Sequence, residues 1–161
     1  MMVTVFNTSP LIFLSKLNII DHGLKLFSDV IVPAYVQEEI FRKEDGANEK
    51  IELLLKSKQI VVLQPKNFRM VEALNEKLGR GESEAVVVAM EQMADLIVLD
   101  DHVARMEAKR IGLNVKGTLG IIKKLIESDV IHYELDRLYE DLSVMKFRVT
   151  KSVFDEIFKI S

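Results

Sequence analysis

The chain from Gly79 to Asp101 reads GRGESEAVVVAMEQMADLIVLDD and predicts a buried helix followed by a buried strand. The helix, residues 82–93, carries an unbroken apolar block in its middle, so it is apolar on every side and belongs inside a domain. The strand, residues 96–99, is a short apolar run typical of the middle of a parallel sheet. Acids border this unit at both ends: Glu82, Glu84, Asp100 and Asp101.

Length and composition predict one globular domain over residues 1–161. A chain of 161 residues, 48% of them hydrophobic, can bury a core without cross-links. The absence of cysteine excludes a disulfide framework and a thiolate metal site. No apolar run approaches the length of a membrane span and no signal-peptide pattern is present, so we expect a soluble cytoplasmic protein without a membrane partner. The net charge of −3 argues mildly against bulk affinity for nucleic acid, although a local basic surface could coexist with it.

Short apolar strands alternate with helices along the rest of the chain. This alternation predicts an α/β domain whose central parallel sheet is covered on both faces. The predicted strands are residues 3–6, 29–32, 60–63, 96–99 and 114–116. The first predicted helix has a hydroxyl cap from Thr8 or Ser9 and Pro10 as its first residue. Further helices are predicted at residues 18–27, 34–43, 49–56, 68–78, 82–93, 103–111, 119–127, 133–145 and 153–158, with a polar loop at 44–48.

Parallel sheets of this kind bind ligands at the carboxyl ends of their strands, near the point where strand order reverses. We expect Glu82 and Glu84 to reach that end only if their helix and the following strand are not simple antiparallel neighbours. The rule gathers the other polar residues into one candidate site: Asn7, Thr8 and Ser9 after the first strand, Glu39 on the helix after the second, and Asp100 and Asp101 after strand 96–99.

Carboxylates clustered without histidine or cysteine suit an oxygen-preferring cation, Mg²⁺ or Mn²⁺, rather than zinc. Such an ion can polarise a phosphodiester and activate a water. Each acid also has a structural alternative. The helix dipole favours Glu82 and Glu84 in a first turn, paired acids on helix 34–43 are typical of a solvated face, and the aspartate pair could cap the next helix. Arg105 on that helix could hold a phosphate or simply lie on a solvated face.

Five segments in order resemble the PIN-domain superfamily over nearly the whole chain. They are NTSPLIFLSKL, IVPAYVQEEIF, LGRGESEAVVVAME, LIVLDDHVARMEAKRIGLNVKGTLGIIKKL and FRVTKSVFDEIF. The nearest group is that of the predicted nucleic-acid-binding PIN proteins related to VapC-type toxins. The resemblance implies a three-layer α/β/α domain and a metal-dependent ribonuclease whose acidic pocket binds Mg²⁺ or Mn²⁺.

The resemblance also implies site residues by position. Asn7 replaces the family's usual first aspartate, and Ser9 matches the hydroxyl two residues on. Glu39 matches the second acid. Glu84 matches the third acid, with Glu82 as the second choice, and Asp100 or Asp101 matches the fourth. Glu84 is preferred because it precedes an alanine, and residues two apart on a helix do not both face one ion. The expected metal ligands are thus Asn7, Glu39, Glu82, Glu84, Asp100 and Asp101. The expected catalytic acids are Glu39, Glu84, Asp100 and Asp101, and the expected substrate contacts are Thr8, Ser9 and Arg105.

The implied function is cleavage of single-stranded RNA, as the toxin of a toxin–antitoxin pair, with an antitoxin partner and a homodimeric state as further expectations. Asn7 departs from the family pattern, because its amide still offers an oxygen but removes one negative charge. This supports an alternative, a catalytically silent module of the same fold that binds nucleic acid or protein. A phosphoacceptor receiver domain fits poorly, since its acid pair would follow the first strand, which here ends in Asn7, and its acceptor aspartate the third, which ends in Gln64.

Overall fold

The structure is a computed structural model that describes residues 2–43 and 47–159. Its centre is a five-stranded sheet, and every strand pair is parallel. The strands are β1 (Val3–Phe6), β2 (Asp29–Pro33), β3 (Val61–Leu63), β4 (Leu96–Val98) and β5 (Val115–Lys116). The helices are α1 (Thr8–Lys16), α2 (Ile20–Leu24), α3 (Ala34–Lys43), α4 (Asn48–Lys56), α5 (Phe68–Asn75), α6 (Arg80–Glu91), α7 (His102–Ile111), α8 (Thr118–Glu127), α9 (Leu135–Val144) and α10 (Lys151–Phe158). The predicted α/β class with a central parallel sheet is confirmed.

The predicted elements differ from the observed ones mainly at their ends. The second predicted helix is shorter than residues 18–27, because Asn18 takes a left-handed conformation (φ 60°) that ends the preceding turn. The predicted loop 44–48 falls mostly outside the described residues, and its last residue, Asn48, already begins α4. Within the described ranges, no helix is both long and apolar enough to cross a membrane.

The strand order is β3-β2-β1-β4-β5, so the chain direction across the sheet reverses between β1 and β4. The two strands pair in register, with Val5 opposite Ile97 and Phe6 opposite Val98. In an open parallel sheet this reversal leaves a crevice at the carboxyl ends of the two strands. The topology therefore predicts a site just after Phe6 and Val98.

Two cores flank the sheet, because successive strand residues point to opposite faces. Phe6, Val30, Val32, Leu96 and Val98 face a core completed by α1, α2, α3, α4, α8, α9 and α10, whereas Val5, Ile31, Ile97 and Leu99 face a core completed by α5, α6 and α7. This is the three-layer α/β/α arrangement that the resemblance implies.

Helix α6 lies against the sheet and is buried from Ser83 to Ala89, as its unbroken apolar block predicts. It begins beside the side chain of Asn7 at the end of β1. Past its end, the Asp95 amide donates to the carbonyl of Val3, at the start of β1, over 2.8 Å. The helix thus runs antiparallel to the strands. The expectation that an antiparallel helix would keep its first acids away from the carboxyl edge was wrong, because that direction places the helix start there.

Candidate functional site

Asn7 follows β1 at the crevice and has a buried side chain, 7% exposed. Its backbone amide donates to the Val98 carbonyl over 3.1 Å, which extends the pairing with β4 by one residue. Its Oδ1 is buried and has no hydrogen-bond partner. Burying an amide oxygen without a donor is costly, so this atom is a natural place for a group that the protein itself does not supply.

The start of α1 gives part of the reason why the Asn7 oxygen is unpaired. The prediction of a hydroxyl cap with Pro10 as the first helical residue was wrong. The helix begins at Thr8, Asn7 is its N-cap residue, and Pro10 is the third residue of the helix. Cap side chains usually bond to the amide of the second or third helical residue, and a proline has no amide hydrogen to offer. Pro10 thus removes one of the two usual partners of the Asn7 oxygen, and the Ser9 amide makes no bond to the Asn7 side chain.

Glu39 lies on α3 with one carboxylate oxygen beside the Asn7 side chain. Its Oε1 accepts a hydrogen bond of 2.9 Å from the Thr8 hydroxyl. Gly81 on α6 makes room for both residues. A Cβ at position 81 would collide with Glu39 Oε1 and lie 3.2 Å from Asn7 Oδ1. The glycine is needed for this close approach, and it brings β1, α3 and α6 together at one point.

Glu82 is the acid of α6 that joins this group. Its Oε2 accepts a hydrogen bond of 2.6 Å from the Gly79 amide, so the side chain folds back over the helix start. Burial raises the pKa of Glu82, and the charges of Asp101 and Glu39 raise it further, whereas the Gly79 amide opposes the shift. Glu82 is therefore close enough to both acids to feel their charge.

Glu84 faces a different part of the structure. The side chain is buried, its Oε1 accepts from the Tyr35 amide at the start of α3 over 3.1 Å, and its Oε2 accepts from Arg80 Nε over 3.3 Å. The Arg80 guanidinium also lies over the Tyr35 ring. Oε1 of Glu84 thus ties α6 to α3, and Oε2 binds Arg80 within α6. Among the two candidates for the third acid, the geometry places Glu82 with Glu39 and gives Glu84 a structural role.

The two aspartates after β4 have different surroundings. Asp100 accepts hydrogen bonds of 2.7 Å from both the amide and the hydroxyl of Thr118, which occupy its two oxygens. Burial raises the pKa of Asp100, and the Thr118 bonds and the charge of Arg105 partly offset that effect. Asp101 is exposed and caps α7, since its Oδ2 accepts from the Ala104 amide over 2.9 Å. The structural alternative of a helix cap therefore describes Asp101, and its Oδ1 stays available.

Three carboxylates of the site have one oxygen held by the protein and one without a protein donor in the part of the chain that the structure describes. They are Glu39, held by Thr8; Glu82, held by Gly79; and Asp101, held by Ala104. In residues 2–43 and 47–159, no three histidine or acidic side chains lie close enough together to form a metal site. The expected six-ligand cluster is thus not assembled, and the ligand assignment stays a prediction.

Sequence reasoning missed three residues of the site: Gly81, Gly117 and Thr118. Gly117 lets Asp100 approach the start of α8, because a Cβ there would lie 3.0 Å from Asp100 Oδ1 and 3.4 Å from Arg105 Nη1. The available signal was the Gly-Thr pair opening α8. It predicts a helix start, but it does not reveal which acid the helix start binds.

A cavity of about 660 Å³ opens beside the acids. Glu82, Asp100 and Asp101 line it, as do the expected substrate contacts Ser9 and Arg105. Thr8 does not reach the cavity, because its hydroxyl is buried against Glu39. The remaining wall is basic and apolar and includes residues 146–149, between α9 and α10.

A family model described as PIN domain matches residues 3–161. The chain belongs to the PIN domain family. A solved structure with the same fold is a PilT N-terminus domain protein from the hyperthermophilic archaeon Sulfolobus solfataricus P2. It is 21% identical, with a TM-score of 0.55 over 83% of this chain and 98% of that one. A comparison with curated proteins gives no match.

PIN domains form a nuclease-type superfamily and are generally dependent on a divalent metal. The residues of this PIN domain fit such an ion in the kind of donor they offer. The unpaired Asn7 Oδ1 and the Glu39 carboxylate converge on Gly81, and every donor nearby is oxygen, as Mg²⁺ and Mn²⁺ prefer.

Proposed function

We propose that this PIN domain is a metal-dependent ribonuclease that cleaves single-stranded RNA. One observation carries the proposal: Asn7 Oδ1 is buried without a donor and shares with Glu39 the space left by Gly81. A cation bound by Asn7 Oδ1 and the Glu39 carboxylate would satisfy the amide oxygen and relieve the repulsion between Glu39 and Glu82, which contributes to the raised pKa of Glu82.

The residues divide into binding and positioning roles. Asn7, Glu82 and Asp101 would hold Mg²⁺ or Mn²⁺ through oxygens that no protein donor in the described ranges occupies, and Glu39 through its carboxylate, whose Oε1 also accepts from Thr8. The bound ion would polarise the phosphodiester and activate the attacking water. Asp100 would act as a positioning residue, because it anchors the start of α8 through Thr118 and lies beside Arg105. Arg105 and Ser9, which line the cavity, would contact the RNA backbone.

The test is cleavage of a generic single-stranded RNA with Mn²⁺ and with EDTA. Glu39→Gln and Asp101→Asn should each lower cleavage by about tenfold to a hundredfold. Asparagine is as good an N-cap as aspartate, so Asp101→Asn should fold normally, whereas Asp101→Ala also loses about 1 kcal/mol of capping. Glu72→Gln, an exposed acid on α5, is the matched control. Wild-type activity in both site variants would refute the assignment.

The toxin role, the antitoxin partner and the homodimer are parts of the same proposal. Expression of a ribonuclease toxin should arrest growth of a host cell, and co-expression of a small neighbouring reading frame should restore it. Growth should also be normal with Glu39→Gln, because the toxicity would come from cleavage. A wild-type protein that cuts RNA but leaves growth unchanged would support the ribonuclease activity and contradict the toxin role. Sedimentation of the purified chain tests the dimer.

A catalytically silent binding module is the second candidate. Asn7 favours it, since the site has one charge fewer than the family pattern, and so does the lack of three acids at metal-binding distance in the described ranges. This module would bind RNA or a protein in EDTA, yet cut nothing in Mg²⁺ or Mn²⁺. Cleavage that is lost in Glu39→Gln would exclude it.

A further inference from the structure

We propose that the cavity beside the acids holds an unpaired nucleobase of the RNA strand against the ring of Phe147, with Arg148 and Lys146 on the adjoining phosphates. We call this part of the cavity the C-terminal groove. It is lined by Phe13, Lys116, Lys146, Phe147, Arg148 and Val153. The RNA as substrate rests on the proposed function, but the groove and its binding role can be tested without cleavage.

The groove and three of the acids, Glu82, Asp100 and Asp101, belong to one cavity of about 660 Å³, within the range of pockets that bind small molecules. Asp100 and Asp101 line it together with Phe147 and Arg148. A strand whose scissile phosphate lies at the acids would therefore have a neighbouring nucleotide in the groove. This places a contact for the base next to the reacting bond.

The charge of the groove favours a polyanion. Lys116, Lys146 and Arg148 line it, and none of them forms an ion pair with a carboxylate in the described ranges. Arg105 adds a fourth cation beside Asp100. Lysine and arginine along a groove that also contains aromatic rings are typical of single-strand binding surfaces, where the cations follow the phosphates and the rings stack on bases. An acidic peptide would use the cations but not the rings.

Phe147 is held in a fixed place. The left-handed Lys146 (φ 63°) ends the turn after α9, and the Phe147 amide then donates to the Leu142 carbonyl over 2.9 Å. The ring meets Phe13 edge to face, with centroids 4.9 Å apart and an angle of 83°. An edge-to-face contact covers the edge of one ring and one face of the other, so part of this partly exposed pair stays open to a base.

The test is binding of a short fluorescent oligouridylate, measured by anisotropy in EDTA so that no cleavage occurs. Phe147→Ala should weaken binding about tenfold, and Phe147→Tyr should restore it, because stacking needs only an aromatic face. Arg148→Gln should weaken binding and lower the slope of log K against log salt by about one. The chain offers a matched control, since Phe68 and Arg69 are another exposed Phe-Arg pair, on α5 outside the groove. Phe68→Ala and Arg69→Gln should bind as wild type.

An abasic strand separates stacking from a merely structural effect of Phe147. It keeps the phosphates and has no base, so wild type should bind it about tenfold more weakly than oligouridylate, and Phe147→Ala should cause no further loss. Equal losses with both strands would mean that the ring only supports the fold, and would overturn the proposal. Wild-type binding by Phe147→Ala, equal weakening by Phe68→Ala, or no binding by wild type would overturn it too. A wild-type protein that binds through Phe147 but never cuts with Mn²⁺ would contradict the proposed ribonuclease activity and retain the proposal that the groove binds RNA.

Discussion

Asn7→Asp would add a full charge at the point where the structure has an unpaired amide oxygen. The side chain is 7% exposed, and its Oδ1 lies 3.2 Å from the position that a Cβ would take at Gly81, where the Glu39 carboxylate also approaches. Two like charges about 5 Å apart repel by about 3 kcal/mol at an effective dielectric of about 20. Without metal, we therefore expect the variant to lose about 1–3 kcal/mol of stability and to melt about 2–10 °C lower.

A divalent cation should reverse this order of stability between wild type and Asn7→Asp. The added charge attracts a doubly charged ion more strongly than it repels Glu39, so Asn7→Asp should bind Mn²⁺ at least tenfold more tightly than wild type. The melting temperature should then rise more steeply with Mn²⁺ in the variant. Calorimetric titration gives the affinity, and thermal unfolding in EDTA and in millimolar Mn²⁺ gives the stabilities. RNA cleavage should increase together with affinity.

The control is Asn75→Asp, which adds the same charge at the exposed last residue of α5. It should leave Mn²⁺ affinity unchanged, and the helix dipole should lower its stability by only about 0.3–1 kcal/mol, equally with and without metal. Equal Mn²⁺ affinity in wild type and Asn7→Asp would show that the Asn7 oxygen does not face a cation. Tighter binding without cleavage would instead retain the ion site and support the silent module.

Three further predictions concern the neighbouring residues. Gly81→Ala should push the Glu39 carboxylate aside and abolish stabilisation by Mn²⁺. The metal-free melting temperature should change little, because losing the Thr8–Glu39 hydrogen bond costs about 1 kcal/mol and alanine suits a helix better by about 1 kcal/mol; retained stabilisation by Mn²⁺ would contradict this. Glu84→Ala should cost about 1–3 kcal/mol with and without metal, because it leaves the part-buried Tyr35 amide without its acceptor, whereas the half-exposed Arg80 can be hydrated; an equal melting temperature would contradict this structural role. Glu82 has a pKa raised above its ordinary value of 4.5, so its contribution to stability is fully present below that pH and is lost as pH rises through the folded-state pKa. Glu82→Gln in EDTA should therefore gain stability over wild type as pH rises from about 4.5 towards 7, and a constant difference would contradict the shift.

The sequence was informative about the sheet because strand positions depend on local pattern. The apolar runs that end at Phe6 and Leu63 end the observed strands at the same residues. The helix predicted to stop at Gly112 does so, with that glycine in the left-handed conformation (φ 103°) that few other residues adopt. The rule for strand ends then placed the candidate site at the carboxyl edge from topology alone, and the site itself stays a prediction.

The details of the site depended on relations that a single sequence does not contain. The choice between Glu82 and Glu84 depends on how α6 is rotated against α3, and alignment on Ala85 selected the residue that faces Tyr35. The contact of Asp100 with Thr118 joins residues 18 positions apart, through the way in which α8 begins. The groove forms only because the segment after α9 returns to the carboxyl edge of the sheet, which no local pattern predicts.

The hydrogen bonds that the site acids accept also help to explain why the residue at position 7 is uncharged. Asp100, Asp101 and Glu82 each accept an amide at the first turn or cap of a helix, where the dipole favours a negative charge. These three charges are thus partly compensated without metal. A carboxylate at position 7 would also stand at a helix N-terminus, that of α1, but Pro10 removes one of the two amides that an N-cap side chain usually accepts. An aspartate there would also be repelled by the Glu39 carboxylate, so the metal-free fold should be more stable with Asn7. The cost is one charge less for binding the ion, so stability without metal and affinity for metal should change in opposite directions at this residue.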